Sequence, residues 1–172
     1  MLKKIAITGP ESTGKSTLLR ELAQYFSTNF VPEYARTYLT TINRPYCFDD
    51  LLIIAQNQML QEDEMAEKTT GFLFIDTELT VIDIWSQEKY GKTDSWILDE
   101  MQKRTYDLIL IPDIDLAWED DPQRENPQDR ERLLGLYQDS FNSRNIKYYM
   151  IKGQAQERLT HAIQLIQQHF NI

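Results

Sequence analysis

The chain has 172 residues, of which 41% are hydrophobic and 26% are charged. This length suits one domain, and the composition is that of a globular protein with enough apolar material for a core. The formal net charge is -9. It argues against nucleic acid and against an anionic membrane surface as partners, because binding to either needs a positive footprint.

Cysteine and histidine content narrow the class of protein further. A single cysteine, Cys47, excludes an internal disulfide, and together with two scattered histidines it leaves no zinc-ligand spacing. No apolar run approaches the roughly 20 residues that a membrane span needs, and the apolar stretch near the start is too short for a secretory signal. We expect a cytoplasmic protein with no membrane partner, and the oligomeric state stays open.

Short β-rich runs alternate with helical patterns along the whole chain. The first half contains a strand at 3–8, a glycine-rich loop, a helix with Leu18, Leu22 and Phe26 on one face, a short strand in FVPEY, a helix capped by Asp49 or Asp50, and the strand FLFID after Gly71. The second half contains a helix through Ile82 and Trp85 to Gly91, a strand at 107–112, a helix with Leu133, Tyr137 and Phe141, a strand at 147–152, and a last helix opened by Gly153.

This alternation predicts an α/β fold, with five parallel strands covered by helices on both faces. Right-handed crossovers bring the C-terminal ends of parallel strands to one edge of the sheet, where ligands bind. The glycine-rich loop, Glu33, Asp76 and the segment after Pro112 each follow a predicted strand, so we expect them to meet at that edge. We interpret residues 1–172 as one domain with a lid at about 113–128.

The stretch GPESTGKS, residues 9–16, matches the pattern G-x-x-x-x-G-K-[ST] of a phosphate-binding loop. It lies between a predicted strand and a predicted helix, where backbone N–H groups and the helix N-terminus hold phosphate oxygens. We expect Lys15 to reach the β- and γ-phosphates and the Ser16 hydroxyl to contact Mg²⁺. The predicted nucleotide-binding residues here are Gly9, Glu11, Ser12, Thr13, Gly14, Lys15, Ser16 and Thr17.

A carboxylate, Asp76, ends the predicted strand FLFID and therefore faces the same loop. It is placed to hold Mg²⁺ directly or through water, together with Ser16. The alternative is a helix N-cap, a position that aspartate also favours. Glu78 lies two residues further on and is a second carboxylate that can share this work.

The stretch PEYAR places Glu33, Tyr34 and Arg36 at the end of the second strand. A kinase that acts on a small alcohol needs a carboxylate to orient the hydroxyl and accept its proton. Glu33 is the candidate, and its alternative interpretation is a solvated loop glutamate.

The segment DIDLAWEDDPQRENPQDR is rich in carboxylates and proline. Phosphoryl transfer often uses a mobile segment that closes, excludes water and brings an arginine to the developing charge. Arg124 is central and fits that role best, with Arg130 second. Most of the acids are interpreted as a solvated turn, whereas Trp118 in so polar a segment indicates a stacking partner.

Aromatic residues occur in the segments that are predicted to meet at this edge. Any one of them can belong to the core, but as a set near carboxylates they can form a cage for a flat or cationic ring. They are Tyr34, Tyr38, Trp85, Tyr90 and Trp118.

With these motifs assembled, the chain resembles the ribosylnicotinamide kinase domain of bacterial NAD-salvage proteins, within the P-loop kinase superfamily. The likeness runs along nearly the whole chain and rests on TGPESTGKSTL, VPEYAR, AQNQ, FIDTE and DIDLAWEDDPQRE. It implies a three-layer P-loop fold of the nucleoside/nucleotide kinase type with a lid. Related proteins often also carry an adenylyltransferase and a DNA-binding module, which do not fit in 172 residues, so we expect a stand-alone kinase.

The resemblance implies transfer of the ATP γ-phosphate to the 5′-hydroxyl of nicotinamide riboside, with Mg²⁺ as cofactor. The implied catalytic residues are Lys15, Glu33, Asp76 and Arg124, with Asp76 as the other candidate base. Arg124 and Lys152 join the loop residues in binding ATP, Lys152 from a loop near adenine. The implied substrate-binding residues are Glu33, Tyr34, Arg36, Asp76, Glu78, Trp85, Asp115 and Trp118.

The arginine content near the second strand bears on the class of acceptor. Nicotinamide riboside has a positive ring and no phosphate, which suits an acidic, aromatic site, whereas a nucleoside monophosphate calls for several arginines. Near PEYAR the chain has only Arg36 and Arg44. The alternatives are a kinase of a deoxynucleoside or a sugar-like alcohol, and a nucleotide-binding ATPase or switch without a small acceptor.

Overall fold

The computed structural model describes residues 1–123 and 128–172. Its strands are β1 (Lys3–Ile7), β2 (Phe30–Val31), β3 (Phe72–Asp76), β4 (Leu108–Pro112) and β5 (Tyr149–Ile151). Its helices are α1 (Lys15–Tyr25), α2 (Tyr34–Thr41), α3 (Phe48–Glu67), α4 (Leu79–Tyr90), α5 (Ser95–Lys103), α6 (Arg130–Ser143) and α7 (Ala155–Phe170).

The strands form one parallel sheet in the order β2-β3-β1-β4-β5, which confirms the predicted architecture. The register pairs Ile7 of β1 with Asp76 of β3, and Ile7 also pairs with Leu110 of β4. The ends of three adjacent strands therefore lie side by side, as the sequence predicted for the ligand edge.

Helices cover both faces of the sheet because the strand residues are apolar on both sides. Ile5, Ile7 and Phe74 pack against α1 and α7, whose apolar residues repeat at helical spacing. Ala6, Ile109 and Ile111 pack on the opposite face against α6, where Phe141 is fully buried. The sheet is thus the central layer of three, and its continuous apolar strands are those expected of a parallel sheet.

A second apolar cluster lies among helices α2, α3, α4 and α5, beside the β2 end of the sheet. Leu51, Ile54 and Met59 of α3 form its centre, and Ile97 and Met101 of α5 complete it. The sequence analysis did not predict α5. Asp94, whose side chain accepts a hydrogen bond from the Trp96 N–H, is the N-cap signal that marks its start.

Several predicted boundaries differ from the observed ones, and three of them lie at the start of a helix. The second strand ends at Val31, since Glu33 is already the residue that precedes α2. Helix α3 is capped by Cys47 rather than by an aspartate, while the Asp50 side chain reaches back to the Cys47 N–H. Helix α7 begins at Ala155, with Gln154 as its N-cap.

Within the described ranges, none of the helices is both long enough and apolar enough to cross a lipid bilayer.

Candidate functional site

The phosphate loop, residues 9–16, follows β1 and leads into α1. Backbone φ is positive at Gly9, Ser12 and Gly14, with values of 128°, 54° and 76°. Alternation of left-handed and right-handed residues curls successive N–H groups into an anion-binding nest. A side chain at Gly14 would meet Leu116 Cδ1 at 2.9 Å, so this glycine is required both for its conformation and for its space.

Lys15 begins α1 and lies across the loop. Its ammonium donates a hydrogen bond to the Pro10 carbonyl at 2.7 Å. The positive charge also lowers the pKa values of two carboxyls, Glu33 and Asp76, against the larger opposing effect of their burial. One lysine therefore acts electrostatically on both candidate catalytic acids.

Asp76 ends β3 beside this loop and is only 2% exposed. Burial raises the carboxyl pKa above its ordinary value, and Lys15 and the Ser16 side chain oppose that effect. The oxygen Oδ1 is buried and has no hydrogen-bond partner among the residues that the structure describes. A buried carboxylate oxygen without a partner, next to a serine hydroxyl, fits a hard divalent cation such as Mg²⁺.

Glu33 immediately precedes α2 and lines the same cleft. Burial raises its pKa above the ordinary value, Lys15 opposes that effect, and Asp76 adds to it. The leading influences on the pKa of this carboxyl are burial and nearby charges, and hydrogen bonds are not among them. Its oxygens are therefore available to a substrate hydroxyl.

The phosphate loop and Glu33 belong to one cleft of about 1030 Å³, which is large enough for two small ligands. Its far end, which we call the acceptor end, contains Leu39, Tyr46 and Trp85. The Trp85 indole N–H donates to the Tyr46 hydroxyl at 2.8 Å, and the two rings meet edge to face with centroids 4.8 Å apart. The Lys89 ammonium lies 3.6 Å from the centroid of the Tyr46 ring.

A polar network supports the wall of the acceptor end. The Arg44 guanidinium binds Asp50 through two hydrogen bonds of 2.6 and 2.7 Å, and the Tyr38 hydroxyl donates to the same carboxylate at 2.6 Å. These hydrogen bonds outweigh burial and hold the pKa of Asp50 well below its ordinary value. Arg44 is therefore fixed by a carboxylate that is itself inside the protein.

Residues 113–123, in the segment between β4 and α6, contact both the phosphate loop and α2. On one side the Glu119 N–H donates to the Ser12 Oγ at 2.9 Å. On the other side Arg36 of α2 forms an ion pair with Asp121 at 2.7 Å. Arg124, the predicted lid arginine, lies outside the described residues.

Arg130, the second candidate, opens α6 behind the phosphate loop. Its guanidinium donates to the carbonyls of Ser12 and Leu116, each at 3.0 Å, and it lies 5.8 Å from the centre of the Trp118 ring. In this structure it binds the backbone of the phosphate loop.

Several residues predicted to bind the substrate make their contacts within the protein. Glu78 caps α4, and its carboxylate accepts hydrogen bonds from Thr80 and Thr8 inside the protein. Asp115 accepts a hydrogen bond from the Gly153 N–H and forms an ion pair with Arg158. Trp118 donates to Asp120 and stacks near Arg130. Tyr34 packs into the helical cluster of α2 to α5.

The predicted aromatic cage is therefore only partly assembled. Trp85 lines the cleft, whereas Tyr38 and Tyr90 pack with Tyr34 among the helices. Lys152, predicted to lie near adenine, is exposed, and its backbone N–H donates to His161 Nδ1 at 3.2 Å.

The sequence analysis did not single out several residues of the cleft, among them Tyr46 and Arg158. Tyr46 stands between two predicted elements, where no periodicity marks it. Arg158 lies four residues before Ala162 and is buried with it on one side of α7, and a charge at such a position was the available signal. Both line the cleft in the structure.

Comparisons with known proteins agree with this geometry. A curated relative, the trifunctional NAD biosynthesis/regulator protein NadR of Salmonella typhimurium, is 24% identical over 159 residues, which are 88% of this chain and 38% of the relative. This chain thus spans about two fifths of the relative's length. The similarity to bacterial NAD-salvage proteins that the motifs indicated is confirmed.

Solved structures extend the comparison to the fold. A NadR protein in complex with NR superposes with a TM-score of 0.85 at 22% identity, covering 99% of this chain and 51% of that one. The deoxyadenosine kinase of M. mycoides gives a TM-score of 0.65 at 14% identity, covering 98% of this chain and all of the other. These likenesses confirm a P-loop fold of the nucleoside kinase type. The family model described as AAA domain matches residues 4–158, and the chain belongs to that family.

Proposed function

We propose that this protein phosphorylates the 5′-hydroxyl of nicotinamide riboside with ATP and Mg²⁺, giving the mononucleotide. The observation that carries the proposal is a single cleft in which the phosphate loop and Lys15 lie at one end, an aromatic pair lies at the other, and Glu33 lines the space. A donor and an acceptor held there are brought together in one enclosed site, which is most of what phosphoryl transfer requires.

The donor end binds the triphosphate. The nest and the N-terminus of α1 hold phosphate oxygens through backbone N–H groups, and Lys15 offsets their charge. Ser16 and Asp76 are the residues that hold Mg²⁺, which supplies charge neutralisation on the β- and γ-phosphates when bound. We also propose that the segment at 113–128 acts as a lid on one kinase domain, with Arg124 closing over the phosphates.

The acceptor end supplies the base. The Glu33 carboxylate accepts the proton of the 5′-hydroxyl as that oxygen forms its bond to the γ-phosphorus. The bond between the γ-phosphorus and the oxygen that bridges it to the β-phosphate breaks, and ADP leaves with that electron pair. Asp76 is buried, its Oδ1 has no partner among the described residues, and we assign it to the metal, so Glu33 is the better base.

The choice of an unphosphorylated acceptor rests on the arginines near this end. Arg36 is paired with Asp121 and Arg44 with Asp50. An acceptor phosphate would have to displace a carboxylate from either one, whereas a hydroxyl and a flat ring meet no such competition. The relative's role in NAD biosynthesis and the neighbouring structure in complex with NR support nicotinamide riboside within that class.

The test is a coupled assay of ADP release with purified protein, ATP, Mg²⁺ and a panel of acceptors. We expect turnover with nicotinamide riboside well above that with deoxynucleosides or sugar alcohols, and loss of turnover in Lys15→Ala. Preference for a deoxynucleoside would replace the acceptor but keep the reaction. ATP hydrolysis that no acceptor changes, and that survives in Glu33→Gln, would instead make the protein an ATPase or switch.

A further inference from the structure

The outer side of the phosphate loop is held by hydrogen bonds to its backbone carbonyls. The Pro10 carbonyl accepts from the Thr13 hydroxyl at 2.9 Å and from Lys15. The Ser12 carbonyl accepts from Arg130, and the Thr13 carbonyl accepts from Arg158 Nη1. Because a carbonyl and the following N–H share a rigid peptide plane, fixing the carbonyls fixes the direction of the adjacent N–H groups.

Arg158 is the most deeply buried of the charged donors, with only 4% of the residue exposed. It lies in the second turn of α7. Besides Thr13, its guanidinium donates to the Gly153 carbonyl at 2.8 Å and to the Asp113 carbonyl at 3.1 Å, and it forms an ion pair with Asp115. One side chain therefore joins the phosphate loop, the segment after β4 and the loop before α7.

Asp115 completes the same arrangement from the other side. Its Oδ2 accepts from the Gly153 N–H at 2.7 Å, and its carbonyl accepts from the Gln154 side chain at 2.7 Å. The pair of Arg158 and Asp115 thus fixes the turn that precedes α7 relative to the phosphate loop. That turn and the loop form adjacent walls of the donor end, where Leu116, Ala117 and Ala155 line the cleft.

The chemistry of this site requires arginine. Burial disfavours the charged guanidinium and lowers the pKa of Arg158, so the group is costly to place here unless its donors are satisfied. A planar fork reaches acceptors in several directions at once, which a lysine ammonium on a flexible stem does not. Space is also tight, because a side chain at Gly14 would lie 3.1 Å from Arg158 Nη1.

We propose that Arg158 is a positioning residue for the phosphate donor. It holds the Thr13 carbonyl away from the phosphates, so that the neighbouring N–H groups of the nest are directed at them. It also connects the nest to the turn before α7. The proposal rests on the part of the proposed function that concerns the phosphate donor, and it requires only that the protein bind a nucleotide. Its test is therefore independent of the identity of the acceptor.

The experiment compares Arg158→Lys with a matched control, Arg104→Lys. Arg104 is also partly buried and bound to carboxylates, through Asp63 at 2.7 Å and Glu100 at 2.8 Å, but it follows α5 near the start of β4, at the opposite edge of the sheet. Titration calorimetry measures the Kd of AMP-PNP with Mg²⁺ and, separately, the Kd of nicotinamide riboside. Thermal unfolding reports the stability of each variant.

For Arg158→Lys we expect AMP-PNP affinity to fall roughly 10- to 100-fold, the effect of losing one or two hydrogen bonds from a charged donor. Affinity for the riboside should change less than about twofold. Arg104→Lys should lower the Tm and leave AMP-PNP affinity within about twofold. Unchanged AMP-PNP affinity in Arg158→Lys, or an equal loss for both ligands, would overturn the proposal.

A second variant keeps the test decisive if Arg158→Lys does not fold. Asp115→Asn keeps the size of the side chain and weakens only its ion pair with Arg158, so we expect a smaller loss of AMP-PNP affinity with the riboside unaffected. A folded Asp115→Asn protein with wild-type AMP-PNP affinity would also contradict the proposal. If neither kinase activity nor riboside binding is found, the AMP-PNP measurements still decide the role of Arg158, and only the acceptor assignment fails.

Discussion

The assignment of two carboxylates to two different tasks can be tested by a pair of isosteric variants, Glu33→Gln and Asp76→Asn. Asp76 has a buried oxygen without a partner among the described residues, as a metal ligand requires, and Lys15 and Ser16 favour its charged form. The leading influences on the pKa of Glu33 are burial and nearby charges. A base that accepts a proton from a substrate hydroxyl requires such a carboxylate. Each substitution removes one negative charge and keeps the shape.

The expected magnitudes follow from these roles. Loss of a general base costs a factor of about 10²–10⁴ in kcat, which is roughly 3–5 kcal/mol of transition-state free energy. Glu33→Gln should therefore lose kcat while the KM for ATP and the Mg²⁺ dependence stay near those of the wild type. Asp76→Asn should raise the Mg²⁺ concentration needed for half-maximal activity by about tenfold or more, since an amide oxygen is a much weaker ligand.

The assay is ADP release measured over a matrix of Mg²⁺ and riboside concentrations for the wild type and both variants. The decisive quantity is whether excess Mg²⁺ restores the rate. It should restore Asp76→Asn in part and leave Glu33→Gln unchanged. If Glu33→Gln retains more than about a tenth of wild-type kcat, or if Mg²⁺ rescues it and not Asp76→Asn, the two assignments are reversed or wrong.

Three further predictions concern pH, a helix cap and charge at the acceptor end. Because burial raises the pKa of Glu33 above 4.5, kcat/KM should fall on the acid side at a pH above 4.5. Glu33→Gln should have the higher Tm at neutral pH, an advantage that disappears below about pH 4.5, where the wild-type carboxyl is protonated in both states. Glu78→Ala should lower the free energy of unfolding by about 0.5–2 kcal/mol, measured in urea, without a selective rise in the KM for riboside, because Glu78 caps α4. Lys89→Met should lower the KM for the cationic riboside about two- to fivefold relative to that for a neutral nucleoside, because the Lys89 ammonium lies on the Tyr46 face and repels a second cation. An equal change in KM for both acceptors would contradict that reasoning.

The sheet and the phosphate loop were predictable from the sequence because their signals are local. Apolar β-rich runs mark all five strands, and the loop residues from Gly9 to Ser16 carry their own conformational requirements in two glycines. The position of Asp76 beside that loop followed from parallel topology alone. In each case the physical cause lies within a few residues of the pattern that reveals it.

Residues whose role depends on a distant partner were not predictable in this way. Glu78 was interpreted as a possible ligand, since nothing in FIDTE shows that Thr8 and Thr80 would engage its carboxylate. Asp115 was assigned to the acceptor site. Its partner in the structure, Arg158, is 43 residues away in the sequence, so no local motif indicates the pair. The sequence shows which groups are charged, but the packing of α7 on the sheet decides which charges meet.

The carboxylates after β4 also have a different function from the one that their number suggests. The sequence analysis treated most of them as a solvated turn and treated the acidic surplus as favouring a cationic acceptor. In the structure Asp115 binds Arg158, Asp120 binds Trp118 and Asp121 binds Arg36. Two of these negative charges, on Asp115 and Asp121, are thus paired with arginines that hold the segment against α7 and α2.

Attraction for the positive ring of the proposed acceptor can also arise from groups outside this segment. Glu33 and Glu88 are carboxylates that line the cleft, and Trp85 and Tyr46 are aromatic residues that line the acceptor end. Lys89 already lies on one face of Tyr46, so a cationic ring gains most from Trp85, or from Tyr46 once Lys89 has moved aside. If the proposed acceptor is correct, we expect Lys89, the two rings and the nearby carboxylates to decide how the site discriminates a cationic from a neutral riboside.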